Sequence, residues 1–164
     1  MTSPLRAKIL VLSDSAAGGQ RADLSGPAVR DALQARGWQV VAREVLPDDA
    51  GQIRRRLETW SDGDDCDALF TTGGTGLGPR DVTPEVTRRV IEREVPGLGE
   101  LMRAEGLKKN RRAALSRGLV GVRNGKLIVN LPGSVRGAEE SLAAILDLLP
   151  HAVDLVQGRT EHGD

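Results

Sequence analysis

The sequence predicts a three-layer α/β domain: a mostly parallel central sheet, helices on both faces, and a small antiparallel hairpin at one side. Three observations predict it. Short apolar runs alternate with amphipathic stretches as strand, helix, strand, helix, strand, helix, the pattern of parallel strands joined by right-handed crossovers. The third strand runs straight into a loop with four glycines in six residues, and then into a helix start. Further on, Asn124-Gly125 separates two short apolar runs, a strong signal for a two-residue type I′ hairpin.

In order, Lys8-Ile9-Leu10-Val11-Leu12 reads as a fully buried first strand. Ser13-Asp14-Ser15 follows its end, then a Gly/Ala loop reaching Asp23-Leu24-Ser25-Gly26-Pro27. Ser25 is placed to cap a helix with Val29 and Leu33 in its apolar stripe, stopped by Gly37. The second strand covers residues 40–46 and ends at Pro47-Asp48-Asp49. Either Asp48 or Asp49 can cap the next helix, whose Ile53, Leu57 and Trp60 recur at helical spacing. Asp62-Gly63-Asp64-Asp65 is a solvated turn before the third strand, Ala68-Leu69-Phe70. After the glycine loop, Thr83 is the expected N-cap and Pro84 the first helical residue, with Val86, Val90 and Ile91 on one face. Pro96-Gly97 separates that helix from one through Leu98, Leu101 and Met102. A basic loop, Lys108-Lys109-Asn110-Arg111-Arg112, precedes the hairpin strands at residues 119–123 and 126–131. Leu131-Pro132-Gly133-Ser134 leads into a closing helix with Leu142, Ile145, Leu146 and Leu149, and Pro150 opens one more short helix. Residues 1–164 read as one domain, with residues 158–164 expected to be a disordered polar tail.

Composition narrows the function classes. A formal net charge of zero argues against general nucleic-acid binding, which needs a basic face. Trp38, Trp60 and Phe70 are the only aromatics, too few for base-stacking platforms. The single cysteine, Cys66, excludes an internal disulfide and, flanked by Asp65 and Asp67, is not expected to be a nucleophile. No apolar run is long enough to span a bilayer, so the expected location is cytoplasmic, without membrane association. His151 and His162 are given no role.

The glycine loop carries the chemistry. A buried strand, glycines that let backbone N–H groups come close, and a helix N-terminus together suit a phosphorylated ligand. A Walker A loop is excluded because Gly78 is followed by Pro79-Arg80 rather than Lys and Ser/Thr. A dinucleotide fingerprint is excluded because Pro79 stands where its last glycine belongs. Asp81 is a hard oxygen ligand of the kind magnesium prefers. Ser13-Asp14, Asp48 and residues 73–81 all follow strand ends, where open α/β sheets bind ligands, so they are expected to line one pocket.

Thr71-Thr72-Gly73-Gly74-Thr75-Gly76 followed by Arg80-Asp81-Val82-Thr83-Pro84-Glu85 resembles the MogA/MoaB family of molybdenum-cofactor biosynthesis proteins, the molybdopterin adenylyltransferases. The resemblance runs from about Lys8 to Gly158 and includes Ser13-Asp14, Asp23 with Ser25-Gly26-Pro27, Pro47-Asp48, Glu94-Val95-Pro96-Gly97, Leu115-Ser116-Arg117 and Asn130-Leu131-Pro132-Gly133-Ser134. It implies transfer of AMP from Mg-ATP to the terminal phosphate of molybdopterin. Asp48 and Asp81 are then the catalytic, magnesium-holding carboxylates. Ser13, Asp14, Thr72, Gly73, Gly74, Thr75, Gly76, Arg80, Ser116, Gly133 and Ser134 bind nucleotide and molybdopterin, Arg80 by pairing with a phosphate oxygen. A homotrimer is implied too, with Leu98–Met102 or the hairpin as candidate interface, and contact with the molybdate-insertion protein. Two segments depart from the family pattern. Asn110-Arg111-Arg112 stands where a Thr-Pro or Pro-Thr pair is usual, and Val135-Arg136 where a proline is usual. Two other functions remain open: a non-catalytic molybdopterin-binding or scaffold protein of this fold, and a nucleotide-processing relative of the competence-damage type, against which Thr75-Gly76 and Arg80-Asp81 argue.

Overall fold

Strand order in the sheet is β2-β1-β3-β6-β5-β4. In this computed structural model, which describes residues 3–159, the strands are β1 (Arg6–Leu12), β2 (Gln39–Leu46), β3 (Ala68–Thr72), β4 (Arg93–Glu94), β5 (Val120–Arg123) and β6 (Lys126–Leu131). β1, β2, β3 and β6 are mutually parallel, while β5 runs antiparallel to both β6 and β4. The parallel part and the hairpin are therefore as the sequence predicts. The hairpin turn needs left-handed backbone at both positions, and Asn124 (φ 47°) and Gly125 (φ 74°) supply it. β4 was not anticipated, being two exposed residues without periodicity.

Alternation along the strands sorts side chains onto two faces. Ile9, Val11, Phe70, Val129 and Leu131 face one way, covered by α2 (Ser25–Ala35), α5 (Pro96–Leu107), α6 (Val135–Ile145) and α7 (Leu149–Val156). Leu10, Leu12, Leu69 and Ile128 face the other, under Ile53, Leu57 and Trp60 of α3 (Ala50–Asp62) and Val86 and Val90 of α4 (Thr83–Val90). Leu98 and Met102 are buried in the first of these cores, so the chain itself uses much of the apolar surface expected to be available for assembly. No helix among the described residues is long and apolar enough to cross a membrane.

Several local expectations are corrected. Asp14–Ala17 is a one-turn helix, α1, capped by the Ser13 hydroxyl accepting from Ala16 N–H, where a loop was expected. Asp23, not Ser25, closes the start of α2, its carboxylate accepting from Gly26 N–H at 2.9 Å. Thr83 lies inside α4 rather than capping it; its hydroxyl instead donates to Gly73 O at 3.0 Å. α4 ends at Val90, leaving Ile91 extended. The end of the basic loop winds into a 3-10 helix, Arg111–Leu115. Arg159 pairs with Asp154, and residues 160–164 of the expected tail lie outside the described residues. Asp49 caps α3, accepting from Gln52 N–H at 2.9 Å, which leaves Asp48 free of that duty.

Candidate active site

Four parallel strands deliver their carboxyl ends to one edge, and a cleft of about 430 Å³ opens there. Ser13, Asp48, Thr72, Gly73, Gly74, Asp81, Gly133 and Ser134 all line it. The glycines are demanded by geometry at the first two loop positions. Gly73 has φ +111°, and a Cβ there would sit 2.1 Å from Leu12 O. Gly74 has φ +69°, and its Cβ would meet the Thr83 hydroxyl at 2.2 Å. The neighbouring loop lies against this one: Gly73 N–H donates to Leu131 O at 3.1 Å, and the Thr72 hydroxyl to Pro132 O at 2.7 Å. Beneath both loops runs a buried polar relay. Asn130 Nδ2 donates to the hydroxyls of Thr71 and Thr87, and the Thr87 hydroxyl in turn donates a hydrogen bond to Thr83 O.

Asp14 and Asp48 are knitted together. Asp14 N–H donates to Asp48 Oδ2 at 3.1 Å and Asp48 N–H to Asp14 Oδ1 at 3.0 Å. Arg80 forks onto Asp14, Nε to Oδ2 and Nη2 to Oδ1, both at 2.9 Å. That fork, with help from Asp48 N–H, holds the Asp14 carboxyl below its ordinary value. Asp48 differs. Burial pushes its pKa up, the bond from Asp14 N–H opposes this, and the nearby Asp14 and Asp81 carboxylates add to the rise. Its Oδ1 is buried and has no hydrogen-bond partner among the described residues. Such an oxygen is costly unless something binds it.

The donor set fits magnesium. Among the described residues no three His, Cys, Asp or Glu side chains gather to cage an ion. Magnesium does not need a cage; it keeps waters and takes one or two carboxylates plus substrate phosphates. Asp48, with its orphan oxygen, and Asp81, whose Oδ2 accepts from Gly78 N–H at 2.8 Å, offer that on one cleft wall.

The remaining expected residues fall elsewhere. Thr75 is buried and Gly76 is turned toward Arg117, which accounts for both carbonyls: Arg117 N–H reaches Thr75 O and Arg117 Nε reaches Gly76 O. Ser116 lines a second cleft of about 350 Å³ between α5, the 3-10 helix and α6, and Ser134 stands on the wall of both clefts. Met102, Ala113 and Pro132 make its apolar lining; Arg103, Arg112 and Arg136 add charge. Arg103 carries no sequence signal, because a helix from across the fold brings it here. Arg117 was visible as part of a motif but had no assigned role. Cys66 lies at the opposite edge, buried, its thiol pushed up to about 11 by burial, so it is inert.

An open α/β sheet with a ligand cleft beyond its carboxyl ends defines the class of protein. A family model described as "Probable molybdopterin binding domain" matches residues 8–151, and the chain belongs to that family. The Helicobacter pylori (strain J99) molybdopterin adenylyltransferase is 40% identical over 152 residues, covering 92% of this chain and 86% of its own length. The Drosophila melanogaster molybdenum cofactor synthesis protein cinnamon is 41% identical over 150 residues, and there the chain spans 25% of the relative's length. The crystal structure of the molybdopterin biosynthesis enzyme MoaB from Thermus thermophilus superposes with a TM-score of 0.89 at 51% identity, covering 94% of this chain and 97% of that one.

Proposed function

We propose that the chain is a molybdopterin adenylyltransferase. A phosphate oxygen of molybdopterin attacks the α-phosphorus of ATP, the bond to the β-phosphate oxygen breaks, and pyrophosphate leaves. The observation that carries the site assignment is the buried, unpartnered oxygen of Asp48, a residue that lines the same cleft as Asp81 and the glycine loop. The adenylyltransferase name of a 40% identical relative of similar length supports the reaction.

Both substrates are polyanions, so positioning and charge neutralisation dominate the barrier. Asp48 and Asp81 would hold magnesium, which supplies that neutralisation. The Cβ-free backbone at Gly73 and Gly74 leaves room for phosphate oxygens to approach. Ser13 and Ser134 each accept a backbone N–H at their helix starts, which leaves the hydroxyl proton of Ser134 to donate into the cleft; Ser13 Oγ lies 3.2 Å from Ser15 Oγ, where either hydroxyl can donate. Arg80 reaches a phosphate by exchanging Asp14 for it. The pterin takes the second cleft, whose apolar floor suits a flat heterocycle and whose Ser116 and arginines suit its polar edge and phosphate. Both departures from the family pattern fall on this cleft, at Asn110, Arg112 and Arg136. A homotrimer, a cytoplasmic location and transfer of product to a molybdate-insertion partner complete the proposal.

The test is direct: purified chain, Mg-ATP and molybdopterin, with mass spectrometry of the pterin. Adenylylated pterin and stoichiometric pyrophosphate support the proposal. Tight pterin binding without either product supports the other reading, a non-catalytic carrier.

A further inference from the structure

The geometry points to Arg117 as a positioning residue that locks the glycine loop, and with it Asp81, in the shape that takes the substrate phosphates. From Thr75 to Asp81 the loop is held from outside at few points. Arg117 supplies three of them: its backbone N–H donates to Thr75 O at 2.9 Å, its Nε to Gly76 O at 2.8 Å and its Nη2 to Asp81 O at 2.8 Å. Its Nη1 pairs with the Glu85 carboxylate in the first turn of α4. One planar guanidinium thus joins both ends of the loop to the helix that follows. The fixed fork makes this possible; a single ammonium cannot bridge Gly76 O and Asp81 O in the same way.

Arg117 also borders the second cleft through its chain neighbours. Its neighbours Ser116 and Gly118 line the second cleft, and both of their carbonyls accept from Arg103 Nη1. Nε, Nη1 and Nη2 all face protein partners, so Arg117 acts through the loop and does not itself grip phosphate. The loop's other outside tie, Arg80 to Asp14, is an exposed pair that a phosphate can displace. Arg117 is what remains when that happens. The catalytic part of this inference rests on the adenylyl-transfer proposal; the loop-locking part stands without it.

The experiment compares wild type, Arg117→Gln, Arg117→Lys, Arg117→Gly and Glu85→Gln by amide exchange, melting and steady-state AMP transfer. The expected result for Arg117→Gln is faster exchange at residues 75–81, with β1, β3 and β6 unchanged. Its kcat falls about a hundredfold, the scale of a small misplacement of reacting groups, while KM for ATP moves little. Arg117→Lys is nearly as slow, and Glu85→Gln, which loosens one arm, lies between. Added guanidinium restores part of kcat in Arg117→Gly, and methylammonium does not. Unchanged exchange at residues 75–81 in Arg117→Gln overturns the proposal. So does a rise in KM alone, which assigns direct phosphate binding, or loss of protection across the whole sheet, which assigns general stability. If wild type transfers no AMP, the proposed function fails, and the exchange data still decide whether Arg117 locks the loop.

Discussion

Asp48 concentrates the conflict between stability and chemistry. Its ionised form is buried, faces two other carboxylates and leaves one oxygen without a partner. A carboxyl whose pKa is higher in the fold than in the unfolded chain holds its proton more tightly when folded. Its contribution is therefore fully present below the unfolded value and is lost as pH rises through the folded one. Asp48→Asn keeps an acceptor for Asp14 N–H and removes the charge. The expected outcome is a higher melting temperature at neutral pH, shrinking toward zero as the pH falls below the ordinary aspartate value, where wild-type Asp48 is itself protonated. Activity should be lost in the same protein. Paired melting curves at neutral and acid pH check this; a lower melting temperature at neutral pH would show that the Asp48 charge stabilises the fold.

The glycine loop is the element on which site and fold depend together. Gly73→Ala meets Leu12 O at 2.1 Å with backbone on both sides, so relief requires moving β1 or the loop. The expected cost is about 1–3 kcal/mol of stability, with loss of ligand binding. Gly125→Ala is the comparison: its φ is also positive, but nothing lies within 4 Å, so only the backbone strain of about 1–2 kcal/mol remains. Chemical denaturation of both variants measures the difference, and equal costs would mean that the approach to Leu12 is not tight. Much of this element was legible in the sequence, because strand, glycines and helix start are local signals and the carboxyl-end rule gathers Ser13, Asp48 and Asp81. Local signals were also where it erred: Ser25 and Thr83 both look like caps, yet Asp23 outcompetes one and Gly73 O recruits the other's hydroxyl. The Asn130 relay and the Arg80–Asp14 fork join residues 43 to 66 positions apart, and the Arg117 side chain joins residues 32 to 41 apart; no periodicity or spacing encodes such pairings. Asn130→Ala should cost about 1–3 kcal/mol by stranding Thr71, Thr87 and Leu119 N–H.

For the whole molecule, the sheet order explains why two clefts share one wall. β6 lies between parallel β3 and antiparallel β5, so its end loop, carrying Gly133 and Ser134, faces the first cleft and the second cleft at once. The proposed homotrimer is checked by light scattering, which should give three times the chain mass; a monomer at micromolar concentration contradicts it. With Leu98 and Met102 already buried, exposed Leu77, Leu115 and Leu155 are better interface candidates. In the proposed function Asp81 and Asp48 serve transfer of AMP rather than pterin storage. The most direct measurement is AMP transfer from α-labelled Mg-ATP to molybdopterin by wild type and Asp81→Asn, with pterin affinity and a melting curve on the same preparations. Asparagine can still accept from Gly78 N–H, so the loop should survive. The account predicts label transfer by wild type, and a fall of roughly 10²-fold in Asp81→Asn, about 2.7 kcal/mol of transition-state stabilisation, with pterin affinity and melting temperature nearly unchanged. Full activity in Asp81→Asn, or no transfer by wild type while pterin binds, would contradict it.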